Sequence, residues 1–170
     1  MTRKLTEIAW AAGIIDGEGC LFISRHAYGS YTKTPNYTAA LKVTMGHEPT
    51  VKRIRELFDS GSHHRVEQSN KGFNTAYTWI VAAKLLRPVL LALKPFCITK
   101  AAEIDVALEF LALPKWYGGQ FRGPKSKKYQ RTEYELWDRM RRLKPRTALR
   151  LARERKEKRN GKNMLRPKNV

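Results

Sequence analysis

The stretch Trp10-Ala11-Ala12-Gly13-Ile14-Ile15-Asp16-Gly17-Glu18-Gly19-Cys20 runs a segment rich in small residues into two acids separated by glycines. Ala9, Ala12 and Gly13 lie three or four positions apart and share one helical face, while Ile8, Trp10, Ile14 and Ile15 supply bulk elsewhere. A face without large side chains lets another backbone come near. Thr6 is the expected N-cap, and Gly17 and Gly19 are expected to end the helix, where positive φ costs least. Glu18 then projects from the C-terminal end. There, orphan carbonyls and partial negative charge join a carboxylate in a hard-oxygen site, for which Mg²⁺ is the natural occupant. The same residues also suit a buried Ala/Gly helix followed by a tight acidic turn.

Ala11 to Gly19 resembles the motif of the LAGLIDADG homing endonucleases: Ala, Gly, two aliphatics, Asp, a small residue, an acid and Gly in order. The motif occurs once in 170 residues, as in the single-motif members that act as homodimers. The resemblance implies that two such helices pack together at the centre of a dimer, with Ala9, Ala12 and Gly13 at the interface. It gives Glu18 the catalytic, metal-binding role, makes the Gly17 carbonyl an adjacent ligand and leaves Asp16 more structural. Mg²⁺ is the implied cofactor; Mn²⁺ or Ca²⁺ could occupy the same site, Ca²⁺ without cleavage. Lys100 stands where comparable members carry a lysine close to the metal, able to neutralise transition-state charge or poise water. Apart from the family, Lys100 reads as a solvent-facing lysine beside a helix N-terminus. One departure is Met45-Gly46-His47-Glu48, where some members place a solvent-ordering glutamine; that role would move to His47, Lys52 or Arg53.

Beyond the motif, the order of patterns is helix, strand, strand, helix, strand, strand, helix, helix, which is α+β. Residues 21–28 and 37–45 read as strands joined by a long hairpin loop. Val51, Ile54, Leu57 and Phe58 recur at helical spacing between Pro49 and Gly61. A second hairpin spans 63–68 and 75–81, followed by leucine-rich helices, one with Pro88 in its first turn and one after a Thr99 cap. The order is similar to an αββαββα half-domain of the family, whose four-stranded antiparallel sheet forms a saddle over DNA. We assign 1–114 to this catalytic and DNA-binding domain and 115–170 to a basic loop and helical extension. In the extension, Thr132-Glu133-Tyr134-Glu135 reads as a capping box whose helix docks through Leu136, Trp137, Met140 and Leu143. A second helix is expected over 147–158.

Strand parity selects candidate DNA contacts. If Leu21 and Ile23 face the helices, Phe22, Ser24, His26 and Tyr28 face the saddle, with Asn36, Thr38, Ala40, Lys42 and Thr44 opposite them. Arg25 and Lys33 join the candidate set. In the second hairpin His64 and Gln68 compete with Arg65 on the other parity, across from Asn74 and Thr78, and the sequence leaves that choice open. Polar side chains on a two-stranded ribbon suit the major groove, where each base pair shows a distinct donor and acceptor pattern. The alternative is a solvated sheet face.

Charge agrees with a polyanionic partner. The chain carries 34 Lys and Arg against 15 Asp and Glu, net +19. Residues 1–114 hold 14 basic and 10 acidic side chains, whereas 115–170 hold 20 and 5. Cys20 and Cys97 are expected as reduced core thiols. No apolar run reaches the roughly 20 residues of a membrane span, so a soluble, intracellular, DNA-associated protein is expected, in a prokaryotic cytoplasm or an organelle matrix. The reading is an Mg²⁺-dependent homodimeric endonuclease acting on palindromic or pseudo-palindromic double-stranded DNA. By resemblance it would be intron-encoded or free-standing and leave short 3′ overhangs. The alternative is a non-cleaving protein of the same fold, either a DNA-binding regulator or an RNA maturase, the latter alone taking RNA as partner.

Overall fold

The computed structural model describes residues 5–26, 34–66, 75–114 and 125–144. Helix α1 (Leu5–Glu18) leads into β1 (Gly19–His26), β2 (Asn36–Met45), α2 (Glu48–Phe58), β3 (Ser62–Val66) and β4 (Ala76–Ala82). A short 3₁₀ turn (Ala83–Leu85) precedes α3 (Leu86–Leu93), α4 (Ala101–Leu111) and α5 (Lys127–Arg142). The four strands form one antiparallel sheet in the order β1-β2-β4-β3. Both hairpins and the helix order are those read from the sequence, with α5 added from the basic region.

Alternation along the strands divides the sheet into two faces. Leu21, Ile23, Ala39, Leu41, Val43, Trp79 and Val81 are buried on one of them. They share a core with Ala11, Ala12 and Ile15 of α1, Val51, Ile54 and Phe58 of α2, and Leu86, Leu90 and Leu93 of α3. No helix among the described residues is long and apolar enough to cross a membrane.

Several local expectations are corrected. Helix α1 already includes Thr6, which therefore does not stand ahead of it as an N-cap. Among the described residues positive φ belongs to Asp59, Ala83 and Gly61, so Gly17 and Gly19 do not end α1 through a left-handed turn. Gly19 is required for another reason. A Cβ there would lie 2.5 Å from the Ile15 carbonyl oxygen, because β1 leaves the helix directly against its last turn. Cys20, expected in the core, is exposed; Cys97 is buried.

The C-terminal region departs further. Helix α5 starts at Lys127, with the Ser126 hydroxyl accepting from the Tyr129 N–H at 3.2 Å. Thr132 is inside the helix and donates its hydroxyl to the Lys128 carbonyl at 3.1 Å, so it opens no capping box. Leu136 and Met140 enter the common core, and Trp137 packs against it, while Leu143 remains 38% exposed. Salt bridges from Arg139 to Glu109 (2.7 Å) and Lys144 to Glu103 (2.5 Å) tie α5 to α4. The expected loop 116–124 and helix 147–158 lie outside the described residues.

Between α2 and β3 the chain turns through Asp59 (φ 43°) and Gly61 (φ 83°). The Trp79 indole donates to the Ser60 carbonyl at 2.8 Å, and its ring stacks on Phe58 at 5.8 Å. A Cβ on Gly61 would meet the Ile80 carbonyl oxygen at 2.5 Å and the Trp79 Nε1 at 2.7 Å. Gly61→Ala should therefore destabilise the fold by about 1–3 kcal/mol from backbone strain alone. Gly46→Ala, whose nearest new contact is 4.0 Å away, should stay within about 0.5 kcal/mol of the parent. Urea unfolding of the two variants checks the contrast.

Candidate functional site

Helix α1 has two unlike faces. Ile8, Ala11, Ala12 and Ile15 are buried, whereas Ala9, Trp10, Gly13 and Gly17 are exposed. Ala12 therefore leaves the expected interface set: it is 0% exposed, and its carbonyl faces the Cys97 sulfur at 3.9 Å. One residue step turns an α-helix by about 100°, enough to put Ala12 inside and Gly13 outside. Gly17 takes its place in the exposed strip. The spacing 9, 13, 17 is a clean run of four that the sequence already contained. Nothing lies within 4 Å of a Cβ built on Gly13 or Gly17. A glycine inside a helix costs about 1 kcal/mol relative to alanine, and no contact within the described residues offsets that cost here.

The strip ends at Glu18, the exposed last residue of α1. Gly19 pairs with Val43, so the carboxylate stands where the helix C-terminus meets the sheet. Among the described residues no three His, Cys, Asp or Glu side chains gather as a metal cluster. Glu18 is thus an exposed carboxylate beside the helix-end carbonyls of α1.

Asp16 links this end to Lys100. Its Oδ2 accepts from the backbone N–H groups of Ile98 (2.7 Å) and Thr99 (3.2 Å), and its Oδ1 from that of Lys100 (3.1 Å). The Thr99 hydroxyl donates to the Asp16 carbonyl at 3.2 Å. The start of α4 is therefore capped by a carboxylate from another helix, not by the Thr99 side chain expected from sequence. Burial pushes the Asp16 carboxyl up, but the hydrogen bonds from Ile98, Thr99 and Lys100 together outweigh it and hold the group below its ordinary value. Lys100, the half-buried N-cap residue of α4, is fixed through its backbone to a residue two positions from Glu18.

The residues considered as replacements for an ordering glutamine already have protein partners. His47 Nδ1 meets the Thr50 hydroxyl at 2.7 Å, and Lys52 pairs with Glu48 at 3.0 Å. Arg53 pairs with Glu7 at 2.9 Å and lies over the Trp10 ring at 5.6 Å, tying α2 to α1.

The sheet face opposite the core carries Ser24, His26, Asn36, Thr38, Lys42 and Thr44 on the β1–β2 ribbon, in the register Ser24↔Thr38 and His26↔Asn36. Ser24 Oγ donates to the Thr38 carbonyl at 3.1 Å and lies 3.0 Å from His26 Nε2. Thr44, Thr78 and His64 line up across β2, β4 and β3, which resolves the open parity in favour of His64. Arg65 shares its parity with Trp79 and Tyr77 on the helix side. Thr78 is 4% exposed, its hydroxyl 2.8 Å from that of Thr44, so it is a poor surface contact. Arg25 is exposed, sits opposite Tyr37 on the helix-side parity and lies over the Trp137 ring at 5.5 Å. Tyr28, Lys33, Gln68 and Asn74 lie outside the described residues.

Burial pushes the Cys97 thiol up to about 11, the negative charge of Asp16 adds to the rise and Lys100 opposes it. At pH 8 only about one Cys97 in a thousand would be thiolate. A maleimide or disulfide reagent should therefore label exposed Cys20 readily in the native protein and reach Cys97 only on unfolding, as peptide mass mapping would read.

Neither a family model nor a curated protein matches the chain. Solved structures do. The homing endonuclease I-CvuI, in complex with its Sro1.3 target in the presence of 2 mM Ca, superimposes with a TM-score of 0.67 at 18% identity, over 83% of each chain. The group I intron-encoded homing endonuclease I-CeuI, complexed with DNA, gives 0.54 at 18% identity, over 66% of this chain and 57% of its own. The archaeal intron-encoded homing endonuclease I-Vdi141I, complexed with DNA, gives 0.52 at 18% identity, over 62% and 67%. With this helix-and-sheet arrangement, and the Ala11–Gly19 motif closing α1, the chain has the fold of the LAGLIDADG homing endonucleases.

Proposed function

We propose that the protein is a homodimeric, divalent-metal-dependent endonuclease that hydrolyses both strands of a palindromic or pseudo-palindromic DNA site. The observation that carries this reading is the bare strip Ala9–Gly13–Gly17 ending in Glu18. Two helix glycines with open space at Cβ are explained when a second backbone closes on them, and a second copy of α1 is the self-complementary partner. Pairing about a two-fold axis brings two Glu18 side chains to one place, which supplies the second carboxylate that a single chain lacks.

The residues fit a hard cation: Glu18 and the Gly17 carbonyl would hold it, with scissile phosphate oxygens completing the set. When bound, Mg²⁺ supplies Lewis-acid polarisation of the phosphate and a water of lowered pKa. Lys100 presents an ammonium to neutralise charge gathering on the phosphorane, and Asp16 holds its backbone in register with Glu18. On the sheet, Ser24, His26, Asn36, Thr38, Lys42 and His64 offer hydrogen bonds to base edges, while the net charge of +19 supports phosphate attraction.

The test uses duplexes selected by the purified protein from a randomised palindromic library, incubated with Mg²⁺ and with EDTA. Glu18→Gln should bind the selected duplex within a few-fold of the parent and lose at least about 10²–10³ in cleavage rate. Normal cutting by that variant would remove the metal assignment. Binding confined to structured RNA would instead favour a maturase.

Gly13 gives a sign test of the dimer. In an isolated helix Gly13→Ala should stabilise by about 1 kcal/mol, whereas a backbone packed against the strip reverses the sign. Gly13→Leu should shift the protein to monomer in sedimentation equilibrium without loss of helical circular dichroism.

A further inference from the structure

We propose that the buried Lys125–Glu133 ion pair is a positioning latch, setting where the far end of the β1–β2 ribbon meets DNA; this rests on the DNA-reading role proposed above. The Lys125 and Glu133 side chains are 4% and 5% exposed, and the ammonium lies 2.8 and 3.0 Å from the two carboxylate oxygens. It also donates to the Pro35 carbonyl at 3.4 Å, one residue before β2 begins. The Lys125 backbone is itself held, its carbonyl accepting from Gln130 Nε2 at 2.6 Å.

Helix α5 also holds both strands of the ribbon close by. Trp137 meets Tyr37 edge-on at 6.2 Å, and Arg25 lies over the same indole at 5.5 Å. Tyr37 and Arg25 are opposite one another in the ladder, so both strands are held from the helix side. The reverse face of these rungs carries Ser24, His26, Asn36 and Thr38, the proposed base contacts.

A buried ion pair is a weak source of net stability, because desolvation cancels much of the attraction and a well-packed apolar pair often does as well. What apolar groups cannot supply is direction. An ammonium with defined acceptors fixes Pro35 relative to α5 in a way that methyl groups do not. Burial pushes the Glu133 carboxyl up despite Lys125, which agrees with a pair whose value is geometric. Displacing a side chain by an ångström changes which base edge it can reach, so the latch bears on discrimination more than on folding.

The experiment compares the parent with Lys125→Met/Glu133→Leu, in which the pair is replaced by apolar groups of similar size. Lys125→Met alone leaves a buried carboxylate and serves only as a destabilised control. Amide exchange is followed on Ser24–His26 and Asn36–Thr38, with the β3–β4 ladder as internal reference. Binding is measured for the selected duplex and for single-base variants at its outer and central positions. The double variant should keep its Tm, exchange the ribbon-end amides about tenfold faster, and lose about tenfold in discrimination at outer positions alone. Unchanged exchange overturns the latch whatever the DNA result, and so does an equal loss of discrimination at every position. If the amides exchange faster but the parent binds no duplex, the hold on the ribbon stands and the DNA-reading role falls.

Discussion

One carboxylate joins the end of α1 to the start of α4. Asp16 takes three backbone N–H groups from the chain entering α4 while its own backbone lies in the last turn of α1. The acid at position 18 and the lysine at position 100, far apart in sequence, are thereby referred to a common point. Hydrogen bonds to a charged acceptor are worth roughly twice neutral ones, and here three converge on a single side chain. The rest of the arrangement follows from this join. Helix α1 cannot rotate about its axis without breaking it, so the core face and the bare face keep fixed directions.

Much of the architecture was legible because its signals are periodic. Alternation in β1 and β2 named the two sheet faces, and Leu21, Ile23, Leu41 and Val43 are buried as that alternation requires. The α2 stripe of Val51, Ile54 and Phe58 likewise lies in the core. What failed was local chemistry overruled from a distance. Thr99 has the composition of an N-cap, yet Asp16 supplies the cap from another helix. Thr132 and Glu135 have the spacing of a capping box, but Ser126 starts α5 earlier and Glu133 turns inward to a lysine. Ala9, Ala12 and Gly13 are equally small, and only the orientation of the helix on the sheet tells that Ala12 is inside.

Registers across strands were the other hidden quantity. Nothing in residues 62–66 alone says whether His64 or Arg65 faces the open side, because both parities carry polar groups. Pairing with β4 decides it, since Trp79 must be buried and His64 is opposite Thr78. The same logic takes Arg25 to the helix side, where Trp137 gives its guanidinium a flat surface to lie on. Helix α5 is thus part of the fold: Arg139, and Lys144 just past its end, join acids on α4.

The contact at Gly19 has a mechanical consequence. With 2.5 Å between a would-be Cβ and the Ile15 carbonyl oxygen, helix and strand meet without any compliant side chain between them. Any side chain at this elbow has to push β1 off the last turn of α1 and so carry Glu18 away from its place beside the sheet. Closeness of helix to strand is what a single absent methyl group contributes.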